Sequence, residues 1–340
     1  MKQIWITRAG PPEALEIKEA PDPEPKPGEA RIRVEASGVN FADAMGRMGL
    51  YPDLPKLPVV PGYEIAGRID AVGAGADPAW IGRDVLAMTR FGGYSDVVCL
   101  PLREVFVRPA GMSADIGAAL PVNYLTAWQL VTVMGALKPG EKILIHSAGG
   151  GVGVAATQIA RHIGAVVIGV ASAWKHAELR SIGVDHLIDG AAEDLESRVL
   201  EITAGRGVEL VLDPVGGESF KQSYRLLAPT GRLGMFGASA LASAKSRNLA
   251  GVIRTIATMP WFTFTPLALI NANKGVFGVN LLKTSDDFNL LKSWMDDLLD
   301  LWAQGVVQPK IAKTFLFDEA PLAHHYLQDR KNLGKVLLKP

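Results

Sequence analysis

The chain has 340 residues, of which 48% are hydrophobic and 21% charged, so it is long enough for two domains and too apolar to be disordered. Its 35 Lys and Arg residues balance 35 Asp and Glu residues, and a net charge of zero gives no electrostatic case for nucleic-acid binding. A single cysteine, Cys99, excludes an intrachain disulfide and a multi-cysteine zinc site.

The first 120 residues are rich in turns. Gly and Pro residues separate short β-branched runs, namely EARIRVEAS, EIAGRIDAVG, RDVLAM and YSDVVCL. This spacing predicts an antiparallel, barrel-like domain. The N-terminal segment MKQIWITRAGPPEALE lacks the apolar core of a signal peptide, and the lone cysteine suits a reducing compartment, so we expect a cytoplasmic protein.

From about residue 123, apolar strand-like runs alternate with helical patterns. The strand-like runs are KILIHSA, AVVIGVAS, DHLID, VELVLDPVG and GRLGMFG. The alternation predicts an α/β domain over residues 123–275, with a doubly wound parallel sheet. After residue 275 come a strand-like VFGVNLL, an amphipathic helix FNLLKSWMDDLLDLWAQG and a strand-like GKVLLKP, which need not form a third domain.

One apolar stretch, TIATMPWFTFTPLALI at residues 255–270, resembles a membrane segment. It has 16 residues and two prolines, whereas a spanning helix needs about 20 residues. A buried or lid-like segment is therefore favoured, with peripheral membrane contact as the alternative.

The strongest chemical signal is the strand–turn–helix sequence KILIHSAGGGVGVAATQIAR at residues 142–161. Its turn contains Gly149, Gly150, Gly151, Val152 and Gly153. A pyrophosphate reaches the N–H groups of a helix N-terminus only where the turn is tight and no side chain intervenes. Gly149 or Gly150 can make that turn, Gly151 can admit the phosphate, and Gly153 lets the helix pack closely. The strand–turn–helix context disfavours the alternative, a glycine-rich connection without a ligand.

The strand AVVIGVAS decides which nicotinamide cofactor fits. In NAD enzymes an acidic residue near the end of the second strand binds the ribose 2′-hydroxyl. This strand ends at Ala171 and Ser172, without Asp or Glu, and Lys175 follows. A hydroxyl and an ammonium suit a 2′-phosphate, so the sequence favours NADPH over NADH. A merely solvated Lys175 is the alternative.

Several separate motifs then show a family resemblance. They are GVNFADAMGRMGLYP, LPVVPGYEIAGRI, PVNYLTAWQLV, SAGGGVGVAATQIAR, SRNLAGVIRT and NLGKVLLKP. Together they resemble the zinc-independent quinone oxidoreductases of the medium-chain dehydrogenase/reductase superfamily, in the branch containing vesicle amine transport protein. The resemblance implies a GroES-like catalytic domain at 1–122 and 276–340, a Rossmann NADPH-binding domain at 123–275, and a homodimer.

The resemblance also bears on metal binding. Zinc-binding members of the superfamily have a Cys where Asn40 stands, a His where Tyr63 stands and a further ligand near Asn123. None of these is a first-choice zinc ligand, and Glu64 cannot hold zinc alone. We therefore expect no metal. Without a Lewis acid, the expected hydride acceptor is an intrinsically electrophilic quinone or α,β-unsaturated carbonyl.

The resemblance places Asn40, Tyr51, Tyr63 and Asn123 around the space that zinc would occupy. The amides can donate to a carbonyl oxygen, and the tyrosine hydroxyls can donate or relay a proton. Structural alternatives remain open: Asn40 as a helix N-cap, Tyr51 as a surface anchor in a turn, and Tyr63 as core packing. Asp43 is expected to be a structural hydrogen-bonding residue.

Further cofactor contacts follow from the resemblance alone. Residues 235–238 should pass beneath the nicotinamide ribose, residues 277–279 beside the carboxamide, and Thr126 near the nicotinamide face. Many relatives have an aromatic residue that stacks on adenine where Gly190 stands, so adenine stacking at that point is in doubt. The expected cofactor-binding residues are Thr126, Gly149, Gly150, Gly151, Val152, Gly153, Ser172, Lys175, Gly190, Phe236, Gly237, Ala238, Phe277, Gly278 and Val279.

Three functions stay open at this point. The first is an NADPH-dependent reductase of quinones or enones. The second is a non-catalytic or weakly catalytic NADPH-binding protein with peripheral membrane association. The third is an enoyl-thioester reductase. Fold alone cannot choose among them, because sites rather than folds determine function.

Overall fold

The computed structural model describes residues 1–242, residue 257 and residues 264–340. The chain forms two compact units. The first unit comprises Met1–Leu125, Leu282–Ala303 and Pro309–Pro340, and the second comprises Thr126–Leu281 and Gln304–Gln308.

The regular elements of the described residues are as follows. The strands are β1 Lys2–Ile6, β2 Leu15–Glu19, β3 Glu29–Val39, β4 Glu64–Val72, β5 Asp84–Met88, β6 Val97–Pro101, β7 Val105–Val107, β8 Lys142–His146, β9 Val166–Val170, β10 His186–Ile188, β11 Val208–Asp213, β12 Leu227–Met235, β13 Gly275–Gly278, β14 Ile311–Leu316 and β15 Lys335–Lys339. The helices are α1 Phe41–Arg47, α2 Ala114–Ala119, α3 Pro121–Trp128, α4 Gly151–Ile163, α5 His176–Ser181, α6 Leu195–Ile202, α7 Glu218–Arg225, α8 Ser239–Ala242, α9 Pro266–Ala272, α10 Leu281–Thr284, α11 Phe288–Ala303 and α12 Ala320–Gln328.

The first unit is built on a seven-stranded sheet. Its strand order is β14-β15-β3-β4-β5-β7, with β6 paired to β3 beyond this path. All pairs are antiparallel except β14 with β15. Alternate residues of β3, including Ala30 and Ile32, face a core that also contains Ile65 and Ile69 of β4. The antiparallel, GroES-like architecture expected for this part of the chain is confirmed.

The second unit contains a six-stranded sheet in the order β10-β9-β8-β11-β12-β13, and every pair is parallel. Numbered along the chain, this is the order 3-2-1-4-5-6 of doubly wound nucleotide-binding folds. The strands bury continuous apolar runs, as in Leu144, Ile168 and Val211. The Rossmann prediction is confirmed. Because the strand order reverses at β8, ligands are expected outside the carboxyl ends of β8 and its neighbours.

Two details differ from the sequence expectations. The strand expected over VFGVNLL ends at Gly278, and Leu281–Thr284 is helical. Since Gly234 pairs with Phe277, β13 completes the parallel sheet, and a domain boundary after residue 275 would detach it. The units change between Leu281 and Leu282 instead.

Half of the apolar stretch 255–270 lies outside the described residues. Its described end includes part of α9, where Leu267 and Ile270 are exposed. None of the helices in the described ranges is long and apolar enough to cross a membrane.

Candidate functional site

In the first unit, α1 begins at a capped residue. Strand β3 ends at Val39, and Asn40 keeps an extended backbone before α1 starts at Phe41. The Asp43 carboxylate accepts the N–H of Asn40 at 2.8 Å and the N–H of Gly62 at 2.9 Å. Asn40 therefore occupies the N-cap position, which was one of its two interpretations, and Asp43 is the structural hydrogen-bonding residue expected.

Asn40 also belongs to a buried cluster with Glu64, the first residue of β4, and Lys335, the first residue of β15. Lys335 Nζ donates to Asn40 Oδ1 at 2.6 Å and to Glu64 Oε1. Asn40 Nδ2 donates to Glu64 Oε1 at 3.0 Å. Glu64 is 0% and Lys335 3% exposed, and charges buried this deeply persist only when they are paired and hydrogen-bonded. We call this set the Asn40–Glu64–Lys335 cluster.

This geometry changes the role expected of Asn40. Its amide hydrogens point to Glu64 and, at 3.4 Å, to the Gly38 carbonyl, while its oxygen accepts from Lys335. Direct donation from Asn40 to a substrate carbonyl would therefore compete with a buried carboxylate. A positioning role agrees better with these contacts.

Glu64 connects the cluster to α3. Its Oε2 accepts the N–H of Val122 at 2.7 Å, which satisfies a donor that the first helical turn would otherwise leave orphaned. Asn123 follows directly and is buried. Gly38 of β3 lies directly against the Glu64 and Lys335 side chains, which leave no room for a larger residue. A Cβ at position 38 would overlap Glu64 Oε1 and lie 2.6 Å from Lys335 Cε.

Tyr51 and Tyr63 stack edge to face, with ring centroids 6.1 Å apart, and Phe91 lies on Tyr63 at 5.2 Å. Burial raises the pKa of Tyr51 to about 12 and raises the pKa of Tyr63 further. Both are therefore protonated donors at neutral pH. The buried Tyr63 hydroxyl makes no hydrogen bond of ordinary distance and angle with any described residue. It nevertheless lies close enough to the Tyr51 hydroxyl to influence the pKa of Tyr51.

Asp43 is a further titratable group of this region. Burial raises its pKa to about 7, above the usual range of aspartate. The backbone N–H groups of Asn40 and Gly62 and the Lys335 ammonium oppose this rise, and the Glu64 carboxylate adds to it.

The side chains here do not fit a zinc ion. The Asn40 amide and the Tyr63 phenol are poor ligands, and the Glu64 carboxylate is bound by an ammonium that has no lone pair to offer a metal. Within the described ranges, no group of three His, Cys, Asp or Glu residues is arranged to hold a metal ion.

In the second unit, β8 leads into the glycine-rich turn and α4. Gly150 has an extended backbone at the N-cap position and provides no capping side chain, and no acidic residue occupies the first turn. A Cβ at Gly153 would lie 2.5 Å from the Ser147 carbonyl oxygen, so only glycine permits this close packing of helix on strand. The first-turn N–H groups are thus left for an anion, and the turn fits a pyrophosphate.

Lys175 lies against this turn. It ends a short 3₁₀ turn, Ala173–Lys175, that follows β9, and its side chain is 7% exposed. A Cβ at Gly149 would lie 2.6 Å from Lys175 Cδ and 3.4 Å from Nζ. The structure therefore brings the predicted lysine to the predicted phosphate turn, and the alternative of a freely solvated Lys175 does not hold. Ser172 is exposed, and its carbonyl accepts the Lys175 N–H at 2.9 Å.

The other predicted cofactor segments follow neighbouring strands. Residues 236–238 follow β12, and residues 277–279 cover the end of β13 and the residue after it. A hydrogen bond of 2.9 Å from Val279 N to Met235 O joins the two strands at this edge. Gly190 follows β10. All three therefore lie at the carboxyl edge of the sheet that also carries the glycine-rich turn. Thr126 is buried one turn after Asn123 on α3.

A buried network behind this edge was missed by sequence reasoning. The hydroxyls of Ser219 and Ser223 donate to Asp213 Oδ2 at 2.6 and 2.7 Å, and Val215 N donates to Asp213 Oδ1 at 2.7 Å. Ser223 Oγ lies 3.0 Å from His146 Nε2. Since the one Ser223 proton goes to Asp213, His146 donates to Ser223, and burial lowers the pKa of His146. The network fixes the loop after β11.

Lys335 was also missed. The sequence signal was a lysine opening the apolar strand KVLLK, where a charge is unexpected unless it is paired. The sequence alone does not identify the partner of Glu64, which is Lys335.

Two family descriptions match the chain. Residues 26–119 match the alcohol dehydrogenase GroES-like domain, and residues 151–291 match the zinc-binding dehydrogenase family. The second description names a metal for which the side chains described above offer no suitable ligand set.

Individual proteins match over nearly the full chain. The rat synaptic vesicle membrane protein VAT-1 homolog is 39% identical over 330 residues, covering 96% of this chain and 80% of the relative. A quinone oxidoreductase of Pseudomonas aeruginosa is 32% identical, covering 100% and 99%. The structure of Escherichia coli quinone oxidoreductase complexed with NADPH superposes with a TM-score of 0.87 at 30% identity, covering 100% of both chains. The chain therefore belongs to the medium-chain dehydrogenase/reductase superfamily, in the branch of the VAT-1 homologues and the quinone oxidoreductases.

Proposed function

We propose that this protein is a zinc-independent reductase that transfers hydride from NADPH to a quinone or an α,β-unsaturated carbonyl compound. The observation that carries the proposal is the buried Asn40–Glu64–Lys335 cluster, in which the carboxylate is already neutralised by an ammonium. A carbonyl that meets no Lewis acid accepts hydride more readily if its own structure delocalises the incoming charge, as quinones and enones do.

Use of NADPH is supported by the second unit. The uncapped N-terminus of α4 suits the pyrophosphate, and the Lys175 ammonium beside Gly149 suits a 2′-phosphate. The NADPH complex of the Escherichia coli relative supports the same assignment. When bound, NADPH supplies the hydride, while the residues of the chain bind and orient the two reactants and supply the proton.

Proton delivery is assigned to the first unit. Reduction of a carbonyl acceptor leaves negative charge on oxygen, which a nearby hydroxyl can stabilise and protonate. We assign this donation to Tyr63, with Tyr51 as the second hydroxyl and the Asn123 amide as a further donor. Asn40 is assigned the positioning role that its bonds to Glu64 and Lys335 support.

The test is consumption of NADPH and of NADH, measured in parallel, with an ortho-quinone, a small enone and an enoyl thioester as acceptors. Turnover of the quinone or the enone with NADPH, undiminished by a chelator, is expected. Loss of turnover with chelator would contradict zinc independence. Preference for the thioester would make the protein an enoyl-thioester reductase, and equal use of NADH would remove the assignment of Lys175.

A second candidate function is an NADPH-binding protein that contacts membranes peripherally. It is motivated by the exposed Leu267 and Ile270 of α9, because interfacial helices bury an exposed apolar face at the headgroup boundary. Flotation with anionic liposomes tests it. Co-flotation that is lost in a Leu267→Ser/Ile270→Ser variant, together with no turnover of any acceptor, would favour this function over the reductase.

A further inference from the structure

Trp174 is an exposed tryptophan whose position calls for an explanation. It lies in the short turn Ala173–Lys175 after β9, and 61% of its surface is exposed. Tryptophan is highly buried on average, so a mostly exposed indole marks a binding surface more often than a leucine does. Its neighbour in sequence, Lys175, is the residue assigned above to the 2′-phosphate.

The indole is connected in space to the phosphate turn. The Lys175 ammonium lies 4.9 Å from the centroid of the Trp174 ring, and the stem of the same lysine runs against Gly149. The glycine-rich turn, the ammonium and the indole thus form a continuous path along the carboxyl edge of the sheet. In NADPH, the adenine is attached to the ribose carbon next to the one that bears the 2′-phosphate. A 2′-phosphate at Lys175 would therefore bring the base to the indole.

The loop that carries Trp174 is held in place. Lys175 N donates to the Ser172 carbonyl at 2.9 Å, Ala171 N donates to the Ile188 carbonyl at 3.1 Å, and Ala173 N donates to Asp189 Oδ2 at 3.2 Å. The indole is therefore presented from an ordered backbone, which lowers the entropic cost of stacking a ligand on it.

The facing loop carries only small side chains. Asp189 Oδ1 accepts the N–H of Ala191 at 3.1 Å, so the same carboxylate ties the turn of Trp174 to the segment after β10. That segment reads Gly190, Ala191 and Ala192, without a side chain larger than a methyl group. The aromatic ring of this region is supplied by the neighbouring loop, at the exposed Trp174.

From these contacts we infer that Trp174 is the stacking platform for the adenine of NADPH, an inference that rests on the proposed function. Stacking a base on an aromatic side chain typically contributes an alanine-substitution effect of about five- to 150-fold in affinity.

The experiment is calorimetric titration of NADPH and NADH into the wild type and the variants Trp174→Ala, Trp174→Phe and Trp80→Ala. Both cofactors carry adenine, so Trp174→Ala should weaken both by the same factor, within about five- to 150-fold, and Trp174→Phe should retain most of the affinity. Trp80 is the matched control, because the Arg83 guanidinium lies 4.9 Å from its ring in the first unit. Trp80→Ala should change neither affinity.

A loss confined to NADPH would overturn the inference, because Trp174 would then act only by holding Lys175 for the 2′-phosphate. Unchanged affinity for both cofactors in Trp174→Ala would overturn it as well. Quenching of tryptophan fluorescence by 2′,5′-ADP should be smaller in Trp174→Phe than in the wild type, and equal quenching would count against stacking. If the wild-type protein binds NADPH but reduces no acceptor, the proposed reductase activity is contradicted. The binding comparison between wild type and the Trp174 variants still tests the stacking of adenine.

Discussion

The two regions that carry the proposed chemistry are built in different ways. The phosphate turn of the second unit is a backbone site, in which glycines expose N–H groups and one lysine lies close by. The Asn40–Glu64–Lys335 cluster of the first unit is a side-chain site, in which two buried charges and an amide satisfy one another. A backbone site tolerates little added volume, whereas a buried ion pair tolerates little loss of charge. Substitutions should therefore destabilise the two regions for different reasons: added volume in the glycine-rich turn, and loss of charge in the cluster.

The largest effect is expected when the ion pair is broken. Lys335→Met leaves Glu64 buried without its cation, and we expect the free energy of unfolding to fall by about 3–5 kcal/mol. Guanidinium denaturation measures it. Lys339→Met is the control. The Lys339 side chain is 40% exposed and pairs with Asp115, so the loss of this ion pair should lower the free energy of unfolding by no more than about 1 kcal/mol. Equal losses of stability in the two variants would contradict the claim that the buried Glu64–Lys335 pair contributes more to stability than an exposed ion pair.

The same comparison explains what the sequence could predict. The strand, the glycine-rich turn and the helix at 142–161 could be predicted because they are consecutive, so that the pattern of each is visible in one short segment. The cluster was not identified, because Asn40 and Lys335 are 295 positions apart and meet only through the pairing of β15 with β3. The strand VFGVNLL was predicted too long for a related reason: its extent depends on a pairing with β12 that apolar pattern alone does not reveal.

The second prediction concerns pH. Because the pKa of Asp43 is raised to about 7 in the folded protein, the folded state holds this proton more tightly than the unfolded state. The protonated Asp43 therefore contributes fully to stability below about pH 4. Between about pH 4 and pH 7 this contribution falls, by at most about 1.4 kcal/mol per pH unit, and above about pH 7 it is lost.

Asp43→Asn removes this titration. The difference in unfolding free energy between wild type and variant, measured by guanidinium denaturation from pH 4 to pH 8, should shift against the wild type as pH rises to 7. A constant offset, caused by the lost acceptor for Asn40 N or Gly62 N, does not affect the slope. A difference independent of pH would contradict the raised pKa.

The third prediction tests the backbone site. Gly153→Ala would place a Cβ 2.5 Å from the Ser147 carbonyl oxygen and displace α4 from β8. We expect a loss of about 1–3 kcal/mol in stability together with weaker NADPH binding. Gly275→Ala in β13 is the control, since its nearest atom would be Arg232 Cβ at 3.5 Å, an ordinary contact. If NADPH affinity, measured by calorimetry, were equal in both variants, the turn would not be the pyrophosphate site.

The smallest effect on stability is expected at Tyr63. A substitution there distinguishes a catalytic role of the Tyr63 hydroxyl from a purely structural role of the ring. The Tyr63 hydroxyl makes no hydrogen bond of ordinary geometry with any described residue, so Tyr63→Phe keeps the ring packing on Phe91 and should change stability by less than about 0.5 kcal/mol. The turnover number with a quinone should nevertheless fall by about 100-fold, because the variant lacks the hydroxyl assigned to proton donation. NADPH affinity should not change. Unaltered turnover at unaltered stability would make Tyr63 a packing residue and move the donation to Tyr51.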